Sequence, residues 1–122
     1  MTSVLVVDDE PDIALICRLA LTLAGYEVEE RGTGADALDY LAHTTPDVVL
    51  LDLRLPDLSG WEVLDRLREN GRLDDLRVIV FSAHASAGRS ARDAGCFAFM
   101  PKPFTPDDLV AHVEAAAAAR GA

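Results

Sequence analysis

Four unbroken apolar runs of strand length, residues 4–7, 48–51, 78–81 and 97–100, recur along the chain with helical segments between them. Runs without polar alternation suit strands buried on both faces, as in a parallel sheet covered by helices on either side. A fifth run, Glu27–Arg31, is more polar and reads as a strand at the sheet edge. The helical segments are 11–24, opening on Pro11 and stopping at Gly25; 35–42, after Gly32-Thr33-Gly34; Gly60–Glu69, with Trp61, Leu64 and Leu67 on one face; 86–94, stopping at Gly95; and 106–119, with Thr105 as its cap and an alanine tract at its end. The order βαβαβαβαβα predicts an α/β fold, a single (βα)5 doubly wound open parallel sheet with right-handed crossovers. The chain is 122 residues long and half apolar, which fits one domain over residues 1–122 with its own core and no further domain or linker.

Charge narrows the function classes. The formal net charge of −10 repels phosphate backbones and anionic lipids, so no direct nucleic-acid or membrane binding is expected. No stretch approaches the apolar length that spans a bilayer, and Met1-Thr2-Ser3-Val4 lacks the basic flank of a signal peptide, so the expected location is cytoplasmic. Cys17 and Cys96 are isolated and read as small buried apolar residues; without a Cys/His cluster a zinc site is not expected. The basic residues are ten arginines and one lysine, Lys102, which marks Lys102 as a place where an ammonium is needed.

In open parallel sheets ligands bind beyond the carboxyl ends of the strands, where the strand order reverses. The residues there are Asp8 and Asp9, Asp52, Ser82 and Ala83, and Lys102. If the first and third strands are neighbours, three carboxylates converge, and like charges a few Å apart raise one another's pKa. A hard divalent cation, Mg²⁺ or Mn²⁺, lets all three stay ionised in an oxygen-rich site. Such a site can make a carboxylate a nucleophile at phosphorus. An ammonium, a hydroxyl and a backbone N–H suit the three phosphoryl oxygens, and Lys102, Ser82 and the amide of Ala83 supply them.

Val6-Val7-Asp8-Asp9-Glu10, the segment from Leu50-Leu51-Asp52-Leu53-Arg54 to Leu58-Ser59-Gly60, Val80-Phe81-Ser82-Ala83 and Met100-Pro101-Lys102-Pro103-Phe104 together resemble the two-component response-regulator receiver family, in order and over essentially the whole chain. The resemblance implies a flavodoxin-like strand order 2-1-3-4-5 and a Mg²⁺-dependent phosphoacceptor switch. It implies that Asp52 takes the phosphoryl group, that Asp9 is a direct metal ligand with Asp8 binding directly or through water, and that the Arg54 carbonyl is a third protein ligand. Lys102 contacts the phosphoryl group, with a cis bond to Pro103; Ser82 is the switch hydroxyl and Phe99 the switch aromatic. Serine and phenylalanine stand here where threonine and tyrosine are frequent, so Phe99 has no hydroxyl for an outward hydrogen-bonded state. The implied partners are a sensor histidine kinase or histidine phosphotransfer protein as donor, and a downstream protein target or an output domain absent from this chain. The implied readout surface is the fourth helix, fifth strand and fifth helix.

Single residues also admit other readings. Asp8 and Asp9 alone would fit a helix N-terminus, Ser82 a capping serine and Lys102 a solvated lysine. Gly32-Thr33-Gly34-Ala35-Asp36-Ala37 fits a dinucleotide fingerprint, but it follows an edge-like strand rather than a buried one. An aspartate-nucleophile phosphatase of the haloacid-dehalogenase kind needs a second aspartate where Arg54 stands. A degenerate, unphosphorylated binding module is opposed by the intact acids and lysine. Trp61 reads as helix–sheet packing, and His43 and His112 as surface residues. Arg54 and His84 flank the path of hydrolytic water and are expected to set the lifetime of the phosphorylated state. In the first helix Ile13, Ile16, Cys17, Ala20 and Leu21 read as the core stripe. Leu15, Leu19 and Leu23 form a second row that is either a docking surface for a partner helix or partly buried against a neighbour.

Overall fold

The structure, a computed structural model, describes residues 2–84 and 87–121. Its elements are β1 (Ser3–Val7), α1 (Pro11–Leu23), β2 (Glu27–Arg31), α2 (Gly34–His43), β3 (Val48–Asp52), α3 (Gly60–Glu69), β4 (Val78–Ser82), α4 (Ala87–Asp93), β5 (Ala98–Pro101) and α5 (Pro106–Gly121), with a 3-10 turn at Leu73–Asp75. All five strands are parallel, in the order β2-β1-β3-β4-β5. The central strands β3 and β4 are buried along their whole length, which is why their sequences show no polar alternation. β2 sits at the edge, as its charges require.

Alternate residues of each strand feed opposite faces. Leu5, Val7, Val49, Leu51, Val78 and Val80 pack with α2, α3 and α4 through Leu41, Leu64 and Ala91. Val4, Val6, Val48, Leu50, Ile79 and Phe81 pack with α1 and α5 through Cys17, Leu21, Leu109 and Val113. Trp61 packs against the first of these clusters. Pro11 stands in the first turn of α1. Ser59 and Glu62 form a reciprocal capping box on α3, and the Thr105 hydroxyl accepts the Asp108 N–H at the start of α5.

Three expectations are corrected. Ile16 is 42 % exposed and belongs to the solvent side of α1, not the core stripe, because apolar residues cover most of that helix's circumference and periodicity alone does not fix the edge of its buried face. The fifth strand begins at Ala98, leaving Phe97 exposed in the preceding turn and adding Pro101. Cys17 is buried but Cys96 is only half-buried. The expected start of the fourth helix at Ser86 lies outside the described residues.

Candidate functional site

Register builds the site. Val7 pairs with Leu51, so the next residues, Asp8 and Asp52, leave β1 and β3 side by side. Ser82 pairs with Pro101, and the Lys102 N–H donates to the Ser82 carbonyl at 2.8 Å, which sets Lys102 beyond the end of β5 on the same rim. The Lys102–Pro103 bond is cis. The Lys102 Nζ lies 3.4 Å from Asp52 Oδ2, 3.5 Å from Asp8 Oδ2 and 3.5 Å from Glu10 Oε1, and 4.8 Å from the centre of the Phe81 ring. One ammonium thus faces three carboxylates over an aromatic floor.

Burial decides the electrostatics of this cleft. Asp8 and Asp52 are almost fully enclosed. Desolvation lifts the Asp8 carboxyl to about 6, opposed by the Glu10 N–H that donates to Oδ1 at 2.9 Å. Desolvation also raises Asp52; the Arg54 N–H, 3.2 Å from Oδ1, and the Lys102 ammonium pull it down, and the Asp9 charge pushes it up again. Burial works to lower Lys102, but Asp52, Asp8 and Glu10 outweigh it and hold the ammonium above its ordinary range. Lys102 is close enough to Asp52 Oδ2 for an ion pair but not aligned for a hydrogen bond, so that oxygen is buried without a hydrogen-bond partner. One ammonium shared among three carboxylates leaves negative charge over in the cleft, and a further cation would offset it.

Carboxylate oxygens of Asp8, Glu10 and Asp52 fall within 4.8 Å of one another, a hard-oxygen donor set that fits a small divalent cation. Glu10 is a member that sequence reasoning did not single out: an acid following two aspartates just before a helix reads as dipole compensation. Asp9 is exposed and lies outside that trio, acting on Asp52 through its charge.

Two loops shape the mouth. After β3 the chain turns back on itself: Arg54 bridges Ser59, the Gly60 N–H donates to the Leu53 carbonyl at 3.0 Å, and a Cβ on Gly60 would lie 2.7 Å from the Asp52 carbonyl oxygen. Only glycine fits that approach. After β4, Ser82 is buried, its Oγ accepting the His84 N–H at 3.1 Å, while Ala83 and His84 are exposed. Arg54 Nη2 meets His84 Nε2 at 2.8 Å, so two residues expected on either side of the cleft touch. Phe99 is half-buried, its ring against α4, where a Cβ on Gly88 would come within 3.3 Å. His43 is exposed. His112 is half-buried, its Nδ1 2.8 Å from the Asp108 carbonyl.

The glycine-rich turn before α2 has a different use from the one its pattern suggested. Asp57 Oδ1 accepts the Gly34 N–H at 2.8 Å and Oδ2 the Ala35 N–H at 2.9 Å. The helix start that a dinucleotide phosphate would occupy is filled by the protein's own carboxylate, and β2 before it lies at the sheet edge. Those N–H bonds hold the Asp57 pKa below the ordinary carboxylate value.

On α1, Leu15, Leu19 and Leu23 are 53 %, 55 % and 89 % exposed. With Ile16 they form one apolar face opposite the buried Cys17 and Leu21, so burial against a neighbouring helix does not account for the row.

Comparison with known proteins agrees with this arrangement. The family described as response regulator receiver domain matches residues 4–114. The transcriptional regulatory protein KdpE of Mycobacterium tuberculosis is 48 % identical over 118 residues, 95 % of this chain and 51 % of that protein. The response regulator MprA of Mycobacterium sp. (strain KMS) is 40 % identical over 114 residues, 92 % of this chain and 49 % of that protein. The chain therefore spans about half the length of these relatives. Among solved structures, the CheY-like receiver domain protein of Methanospirillum hungatei superposes with a TM-score of 0.90 at 27 % identity, covering 99 % of this chain and 97 % of that one.

Proposed function

The chain belongs to the response regulator receiver domain family, and on that premise we propose that Asp52 is its phosphoacceptor, taking a phosphoryl group from the phosphohistidine of a sensor kinase or phosphotransfer protein. The observation that carries this reading is the buried Oδ2 of Asp52, ion-paired to the Lys102 ammonium and without a hydrogen bond. In the transfer an Asp52 oxygen forms the new O–P bond as the P–N bond breaks. The electron pair leaves with the imidazole, which takes up a proton.

Asp8, Asp9 and Asp52 with the Arg54 carbonyl would hold Mg²⁺ or Mn²⁺, and Glu10 adds a further carboxylate to that rim. When bound, the metal supplies positive charge against the phosphoryl oxygens. Lys102 holds one phosphoryl oxygen and keeps a second positive charge in the cleft. The Ser82 hydroxyl and the Ala83 N–H hold the others, and Asp52 is presented by a rigid central strand. The chain thus promotes its own phosphorylation and slow hydrolysis and acts on no separate substrate. Drawing Ser82 towards the phosphate frees space for Phe99, and the change is read at α4, β5 and α5 by a downstream protein or an output segment.

The apolar row on α1 begins one turn beyond the acid cleft. Ile16, Leu19 and Leu23 follow an i, i+3, i+7 spacing that suits a seam against another helix. A helical phosphodonor lying on it would bring its histidine to Asp52. No helix among the described residues is long and apolar enough to cross a membrane.

The test is chemical mapping. Incubation with a small acyl phosphate and Mg²⁺ should place a hydroxylamine-labile phosphate in the peptide containing Asp52. A chain that takes no label at all would act as an unphosphorylated binding module.

A further inference from the structure

Arg54 and His84 are joined to the reactive centre twice over. The Arg54 N–H donates to Asp52 Oδ1 at 3.2 Å and the His84 N–H donates to Ser82 Oγ at 3.1 Å, while their side chains meet at 2.8 Å across the mouth. Each residue is tied by its backbone to one of the two groups that handle the phosphoryl group, and by its side chain to the other residue.

A guanidinium has only donors, so the contact requires a lone pair on His84 Nε2. Among the described residues Arg54 has no carboxylate partner, although the chain is strongly acidic; its side chain is given to a histidine. Arginine is suited to phosphoryl oxygens, which it binds through a charge-assisted fork. The N–H given to His84 is withdrawn from those a phosphoryl oxygen could take, and the contact fixes where the guanidinium is held.

Resting on the phosphoacceptor reading, we propose that His84 is a latch that holds the Arg54 guanidinium in the unphosphorylated protein, and that the arriving phosphoryl group competes with His84 for it. Arg54 contacts the phosphoryl group; His84 is a positioning residue that acts only through Arg54. The Ser82 hydroxyl is not consumed by the latch, because its oxygen accepts from His84 and its own proton stays available.

The consequence is opposite effects from the two halves of one contact. The rate of labelling by a small acyl phosphate is measured: an Asp52 oxygen forms the O–P bond, the acyl C–O–P link breaks at phosphorus and the carboxylate leaves. Arg54→Ala removes the cation and should slow labelling by about tenfold. His84→Ala releases Arg54 and should speed it by about threefold, the size of one exposed hydrogen bond. His84→Gln, whose amide oxygen accepts the same N–H, should restore the slower rate, and Arg54→Ala with His84→Ala should match Arg54→Ala alone. A second readout is independent of phosphorylation: the ¹⁵N shifts of the His84 ring should report a hydrogen bond at Nε2 that Arg54→Ala abolishes. Labelled wild type with His84→Ala no faster, or a His84→Ala effect that persists without Arg54, overturns the latch alone. A wild type that takes no label overturns the phosphoacceptor reading and the latch's role with it.

Discussion

Val7 and Leu51 are register partners across β1 and β3, and this pairing alone sets two carboxylates next to each other at the end of the sheet. A slip of one residue would turn every side chain of one strand to the other face and take Asp8 away from Asp52. The acid cleft is therefore a product of the hydrophobic pattern: Leu5, Val7, Val49 and Leu51 must share one face, and their burial fixes where the acids emerge.

Enclosing Asp8 destabilises its ionised form. Between about pH 4 and 6 the folded, metal-free protein binds more protons at Asp8 than the unfolded chain does. The contribution is fully present below pH 4 and is lost as pH rises through 6, with a ceiling of about 3 kcal/mol. Thermal melts in EDTA should show Asp8→Asn gaining stability over the wild type as pH rises from 4.5 to 7.5. Mg²⁺ should raise the wild-type Tm at pH 7.5 more than at pH 4.5. A pH-independent difference between the two proteins would contradict this account.

Asp57 ties the loop after β3 to the start of α2, and the sign of its effect is the reverse. Its folded pKa is lowered, so its contribution is present above the ordinary carboxylate value and fades as pH falls through the lowered one. Asp57→Ala should lower Tm at pH 7, and the difference from wild type should shrink on acidification. Titration with a nicotinamide dinucleotide should give no saturation, because the α2 N–H groups already have their anion.

Gly60 lies against the backbone of Asp52, with no room for a methyl group between it and the Asp52 carbonyl or Leu53 Cα. Gly60→Ala should cost about 1–3 kcal/mol in urea unfolding and displace the end of β3. Labelling should fall even at temperatures where the variant stays folded. A variant as stable and as active as the wild type would show that the turn has slack.

Leu15→Glu combined with Leu19→Glu replaces exposed side chains, so unfolding free energy should change by no more than about 0.5 kcal/mol per site. Transfer from a phosphohistidine donor should fall sharply while labelling by a small acyl phosphate is spared. Equal loss of both activities would point to damage to the fold instead.

The sheet and the rim of the cleft were legible because unbroken apolar runs have one physical interpretation and because the ends of parallel strands converge. What was not legible depends on contacts across the sequence. Glu10 belongs to the acid cluster, yet an acid before a helix looks the same whether it serves a cleft or a dipole. Asp57 looks like an ordinary turn residue until α2 is placed over it, 22 and 23 residues away from the N–H groups it accepts. The side chains of Arg54 and His84 are 30 residues apart and meet only because two strand-end loops face each other. Ile16 shows a different limit: on a helix apolar nearly all the way round, periodicity cannot say which edge of the stripe is wet.

The central claim is that Asp52 receives the phosphoryl group in a cleft assembled from Asp8, Glu10 and Lys102. The most direct measurement is stoichiometric labelling of the intact chain by a small acyl phosphate with Mg²⁺, compared with Asp52→Asn under the same conditions. One phosphoryl group per wild-type chain and none on Asp52→Asn is the predicted result; equal labelling of the two proteins would contradict it.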